Sequence, residues 1–128
     1  MISKLGQVMI YVRDQRACVE FWTEKMGFEL VAEHRIGEIE WFELSPGAEG
    51  GTNLVLHDKE KIAQLEPELD LGVPSLLFFS DELEELRSSL TAKGVKTGEI
   101  TEMPGGRVFN FADPEDNYFA VKETGGES

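Results

Sequence analysis

Gln7-Val8-Met9-Ile10-Tyr11-Val12-Arg13-Asp14 opens a pattern that this chain uses twice: an apolar strand, an acidic residue, a helical stretch and a stop glycine, Gly27. The pattern returns 67 positions later, with Ser75, Leu77 and Phe79 in the places of Val8, Ile10 and Val12. Asp81 stands for Asp14, and Gly94-Val95 for Gly27-Phe28. An internal repeat of this length marks one supersecondary unit used twice. Two such units predict a single cavity between them.

Leu5 to Arg13 alternates, with Val8, Ile10 and Val12 on one face and Gln7, Met9 and Tyr11 on the other, as in a strand covered on one side. Asp14 can cap the helix that follows, in which Ala17/Cys18, Phe21/Trp22 and Met26 recur at helical spacing. Glu29–Glu33, Glu38–Leu44 and Thr52–His57 read as three more strands, with turns at 35–37 and 45–51. The first unit is therefore βαβββ. Asp58–Asp70 is a charged connector, a short surface helix or a loop. The second unit repeats the order: strand Pro74–Phe79, helix Asp81–Lys93, then strands Val95–Ile100, Arg107–Phe111 and Asn117–Lys122. Asp81 with Glu84 suggests a capping-box variant, and Leu83, Leu86 and Leu90 a buried stripe. Asp113–Asn117 reads as a tight turn, with Asn117 in the left-handed conformation.

The expected fold class is thus α+β: two βαβββ modules with curved mixed sheets enclosing one pocket. One domain spans residues 1–128, with module one at 1–57, a linker at 58–71, module two at 72–123 and a frayed tail at 124–128. The faces opposite the helices should line the pocket. That places Gln7, Met9, Tyr11, Trp41, Phe78 and Tyr118 inward, with Glu43 beside Trp41. His57 shares a strand face with Val55, or is an exposed histidine at the strand end; His34 is expected in a solvent-facing turn.

With 12 Lys plus Arg against 25 Asp plus Glu, the formal charge is -13, which disfavours nucleic acid and anionic membranes as partners. The one cysteine, Cys18, reads as a small core residue, and the chain cannot form an internal disulfide. No apolar run is long enough to span a bilayer and no export signal is visible, so a cytoplasmic location is expected. Phosphate-cradling, zinc-finger and nucleophile-elbow motifs are absent.

Three segments carry a resemblance to a known family: residues 7–14, Phe21-Trp22-Thr23-Glu24-Lys25-Met26-Gly27-Phe28, and Val108-Phe109-Asn110-Phe111-Ala112-Asp113-Pro114-Glu115-Asp116-Asn117. Over Leu5–Glu123 the chain resembles the vicinal oxygen chelate superfamily, which includes glyoxalase I, extradiol dioxygenases and bleomycin-resistance proteins. In metal-using members, the resemblance implies a divalent ion held by ligands on the first and last strand of each module. Counted from the helix-start acids and the last strands, those positions are Gln7, Val55, Pro74 and Ala120. Only Gln7 offers a side-chain donor, too few to offset dehydration of an ion.

The resemblance then implies a metal-independent protein of the bleomycin-resistance kind. It would bind a small apolar or aromatic molecule, without cofactor and as a homodimer, with Gln7, Tyr11, Trp41, His57, Asn110 and Arg107 as polar or stacking contacts. Arg107 follows a Gly105-Gly106 loop and would reach the pocket mouth, or pair with Glu99 or Glu102. The alternative is a metal-dependent lyase or dioxygenase of the glyoxalase type, with Gln7, Glu43 and His57 around a divalent metal. A third reading makes the chain a component of a larger assembly.

Overall fold

The alternation of Gln7–Val12 survives as a strand with Ile10 and Val12 fully buried and Gln7 and Met9 exposed, which fixes which face the following helix covers. The computed structural model describes residues 1–47 and 51–124. The chain divides into unit 1, Met1–Val73, and unit 2, from Pro74 onward.

In unit 1, β1 (Gln7–Val12) leads to α1 (Gln15–Glu20), which continues as a π-helical turn over Phe21–Lys25. Then follow β2 (Glu29–Ile36), β3 (Ile39–Ser45), β4 (Asn53–Asp58) and α2 (Lys59–Leu65). The sheet order is β1-β4-β3-β2, with β1 parallel to β4 and the other neighbours antiparallel. Cys18, Phe21 and Trp22 from the helical segment pack with Ile10, Phe42, Leu44 and Leu56 of the sheet as the apolar core. The connector is a helix, because the Asp58 carboxylate accepts hydrogen bonds from the Glu60 and Lys61 amides and caps it. Residues 48–50 of the expected 45–51 turn lie outside the described residues.

Asp14 caps α1 as its position suggests, accepting from the Ala17 amide at 3.1 Å. Replacing Asp14 by alanine is expected to cost about 1 kcal/mol of folding stability, read as a lower denaturant midpoint with unchanged slope.

In unit 2, β5 (Leu77–Ser80), α3 (Leu83–Ala92), β6 (Thr101–Met103), β7 (Gly106–Ala112) and β8 (Tyr118–Glu123) form a sheet of order β5-β8-β7-β6. Both stop glycines have the expected left-handed backbone, with φ of +82° at Gly27 and +85° at Gly94.

Several local features differ from the pattern that the sequence suggests. The α3 cap is Glu82, without a side-chain bond of its own; the Ser80 hydroxyl oxygen accepts from the Glu82 amide, and Asp81 does not cap. The Val95 amide closes α3 by donating to the Leu90 carbonyl, so Val95 is not free to start a strand. Residues 95–100 make only the Thr97–Phe111 bridge and two backbone bonds beside β7, and regular pairing waits until Thr101. In the 113–117 turn the positive φ belongs to Asp116, at 62°, not to Asn117, whose amide is tied to the Asp113 carboxylate. Residues 125–128 of the expected tail lie outside the described residues.

The repeat itself is offset differently at its two ends. Met9 pairs with Val55 as Leu77 pairs with Ala120, so Val55 and Ala120 are equivalent, as expected, but the first strands correspond at 68 positions. The helix caps, Asp14 and Glu82, keep that 68 and the stop glycines return to 67. The π turn at Phe21–Lys25 holds the extra residue of unit 1. One residue along a strand exchanges its faces. Consequently Phe78 packs against Phe111 and Phe119 in the core, while Leu77 and Phe79 are the exposed residues.

Candidate ligand-binding face

The face of the unit 1 sheet opposite α1 is built from residues that pair across all four strands. His34 on β2 is opposite Trp41 on β3, Trp41 opposite His57 on β4, and His57 opposite Tyr11 on β1. Strands lie about 4.8 Å apart, which brings ring-bearing side chains at paired positions into stacking range. The rings stack in that order at centroid distances of 5.3, 6.0 and 5.6 Å, with interplanar angles of 23–26°. The result is one row of four rings running across the sheet. His34 is exposed as expected but sits within β2; the turn lies one residue past Ile36, at Gly37.

His57 is not an exposed strand-end histidine. It is half-buried between Tyr11 and Trp41, and its Nδ1 is buried without a hydrogen-bond partner among the described residues. Burial holds its pKa below the ordinary value of 6.5, because the cation is poorly solvated there. The sign follows from proton binding: the unfolded chain takes up a proton near pH 6.5 and the folded one only at lower pH. Stability is complete above that value and declines as pH falls below it, towards the folded pKa. His57→Phe, which keeps a ring in the row, should flatten this decline in denaturant titrations between pH 7.5 and 5.5.

Next to the row, Glu43 is opposite Val55, and its Oε2 accepts from Asn53 Nδ2 at 2.7 Å and Gln7 Nε2 at 3.1 Å. Hydrogen bonds from Asn53 first and Gln7 second keep its pKa below the usual 4.5, so it is an anion at neutral pH. Gln7 and Glu43 are therefore bonded to each other, and Asn53, which holds the carboxylate most strongly, was not among the expected site residues. Its position opposite Gln7 is set by the β1–β4 register, which strand patterns alone do not fix.

The unit 2 candidates divide between faces. Asn110 and Tyr118 are exposed on the side of their sheet away from Phe109, Phe111 and Phe119. Arg107 has the opposite parity. It reaches Glu123 at 3.0 Å and Glu84 of α3 at 2.9 Å, and so ties helix to sheet instead of pairing with Glu99 or Glu102. These two carboxylates raise its pKa, Glu123 the more strongly.

The model of one protein family matches residues 4–121 of the chain. The chain belongs to the Glyoxalase/Bleomycin resistance protein/Dioxygenase superfamily. Among its relatives is the uncharacterized protein YetH of Bacillus subtilis (strain 168), 35% identical over 126 residues, covering 96% of this chain and all of YetH. The crystal structure of TnmS3, an antibiotic binding protein from Streptomyces sp. CB03234, is 27% identical with a TM-score of 0.80, covering 95% of this chain and 96% of TnmS3. A superfamily member from Sphaerobacter thermophilus DSM 20745, at 23% identity and TM-score 0.81 over 96% of this chain and 98% of its own, shares the fold.

Within this glyoxalase superfamily frame, the corrected repeat changes one of the four metal-ligand positions. Seven residues before the Glu82 cap is Ser75, where counting from Asp81 gave Pro74. In unit 1 these positions hold Gln7 and Val55, with Gln7 already donating to Glu43; in unit 2 they hold Ser75 and Ala120. Taken unit by unit, an amide beside an alkyl group and a hydroxyl beside a methyl group do not suit a divalent cation. Among the described residues, no group of three His, Cys, Asp or Glu side chains is placed to hold a metal ion. No helix among them is long and apolar enough to cross a membrane.

Proposed function

We propose that this superfamily member is a binding protein that takes up a planar aromatic small molecule on the face of the unit 1 sheet opposite α1, without a metal and without transforming it. The observation that carries the reading is the row His34–Trp41–His57–Tyr11, four rings aligned across one sheet. A ring system laid across this row gains edge-to-face and apolar contact with little ordering cost, since the side chains are held by their neighbours. Glu43, kept anionic by Asn53 and Gln7, adds a preference for a cationic ligand, and the charge of -13 acts in the same direction. Support comes also from TnmS3, described as an antibiotic binding protein. The donor set at the superfamily's ligand positions supports metal independence. The protein would act in the cytoplasm as a homodimer, a state that light scattering on the eluting protein measures.

Calorimetric titration with proflavine, a planar cation, tests the reading. Saturable binding at one site per chain is expected, with weaker binding of the anionic 1-anilinonaphthalene-8-sulfonate. Absence of binding by either probe contradicts it. Stoichiometric zinc, nickel, manganese or iron in protein purified without chelator would overturn it in favour of a metal-dependent lyase or dioxygenase.

A further inference from the structure

On the other side of the unit 1 sheet, between the helical segment and edge strand β2, lies a groove of about 370 Å³. Its floor is apolar: Phe42 is buried, and Val19 and Leu30 are half-buried. Its rim carries Glu20 and Glu24 from the helical wall, Glu33 from β2, and one opposing charge, Arg16. All four charged side chains are exposed, and none makes a hydrogen bond or ion pair among the described residues.

Both walls owe their shape to an inserted residue. The π turn widens the helix at Thr23 and Glu24, and Thr23 Oγ1 donates to the Val19 carbonyl at 2.7 Å within that wall. Opposite, β2 has a register shift between Leu30 and Ala32, a bulge that bends the edge strand. α1 packs mainly on β4, with Gln15 donating to the Glu40 and Leu56 carbonyls of β3 and β4, and only the π turn reaches β2, so the groove stays open between them.

We infer that this groove is a second binding site, separate from the aromatic face, for a small amphipathic cation. The apolar body would lie on Val19, Leu30 and Phe42, and its ammonium among Glu20, Glu24 and Glu33. The volume is at the small end of ligand pockets. Three carboxylates against one guanidinium select a cation over a neutral or anionic ligand of the same shape. The inference does not depend on the aromatic row, whose residues are on the opposite face.

The test is amide-resolved NMR of the ¹⁵N-labelled full chain titrated with 4-phenylbutylamine, beside the isosteric 4-phenylbutan-1-ol and 4-phenylbutyrate. Shifts should centre on Thr23, Glu24, Leu30 and Glu33, and the amine should bind about tenfold more tightly than the alcohol. Combined Glu20→Gln, Glu24→Gln and Glu33→Gln should abolish that preference, whereas Arg16→Gln should tighten amine binding roughly twofold. All four positions are exposed, and unchanged spectra elsewhere verify folding. Trp41→Ala should leave the groove shifts intact while weakening proflavine binding, which separates the two sites. The inference is overturned by equal binding of amine and alcohol, by shifts confined to Tyr11, Trp41 and His57, or by no saturable shift up to roughly 10 mM amine. Shifts at the same amides on raising protein concentration without amine would assign the groove to a second copy, and would likewise overturn it.

Discussion

Trp41→Ala is expected to weaken proflavine binding about thirtyfold, roughly 2 kcal/mol, while leaving folding stability within about 1 kcal/mol of the parent. Trp41 is the only ring of the row with a stacked histidine on each side, His34 at 5.3 Å and His57 at 6.0 Å. Its removal divides the row into an isolated imidazole and a Tyr11–His57 pair. Trp41 stands on the face opposite α1 and is half-buried, so truncation leaves the packing of Phe42 and Leu44 on the other face in place. Calorimetry gives the affinity and urea titration the stability. Tyr11→Phe, which keeps the ring and loses only the hydroxyl, should retain most of the binding. An affinity change below about twofold for Trp41→Ala would show that the row is not the contact surface.

Trp22→Ala should have the largest effect on folding, about 4 kcal/mol, corresponding to a melting temperature lower by roughly 15 °C. Trp22 is fully buried and meets Phe21 at 5.3 Å and Phe28 at 5.0 Å, both edge-to-face. It belongs to the π turn, so the same side chain fills the core and holds the segment with the extra residue. With typical domain stabilities of about 5–15 kcal/mol, the variant would retain only part of its folded margin. Thermal unfolding of parent and variant measures the difference. A loss under about 1 kcal/mol would mean that the turn repacks around alanine.

The order of elements was legible because each carries its own signal: period-two alternation in β1, a capping aspartate at Asp14, and stop glycines at Gly27 and Gly94. The equivalence of Val55 and Ala120 was legible too, since matching apolar triplets on the last strands needs no knowledge of the helices. The register of β5 was not. A single residue taken up inside the first helix is invisible to an alignment anchored on helix ends, yet it exchanges the faces of Leu77 and Phe78 and moves a ligand position from Pro74 to Ser75. Gln7, Tyr11, Trp41 and His57 were readable as one face from strand parity. Their joining into a row through His34 depends on how β2 pairs with β3, including the bulge after Leu30. Arg107 misled for a related reason. Its neighbours in sequence suggested a loop tip, whereas its partners, Glu84 and Glu123, come from a helix and a strand that only the folded unit brings to it.

The most direct measurement is proflavine affinity in chelator-treated protein before and after adding zinc, nickel or manganese. Full binding is expected in the stripped protein, with an affinity that added metal leaves unchanged. Binding that appears only when metal is restored would contradict it.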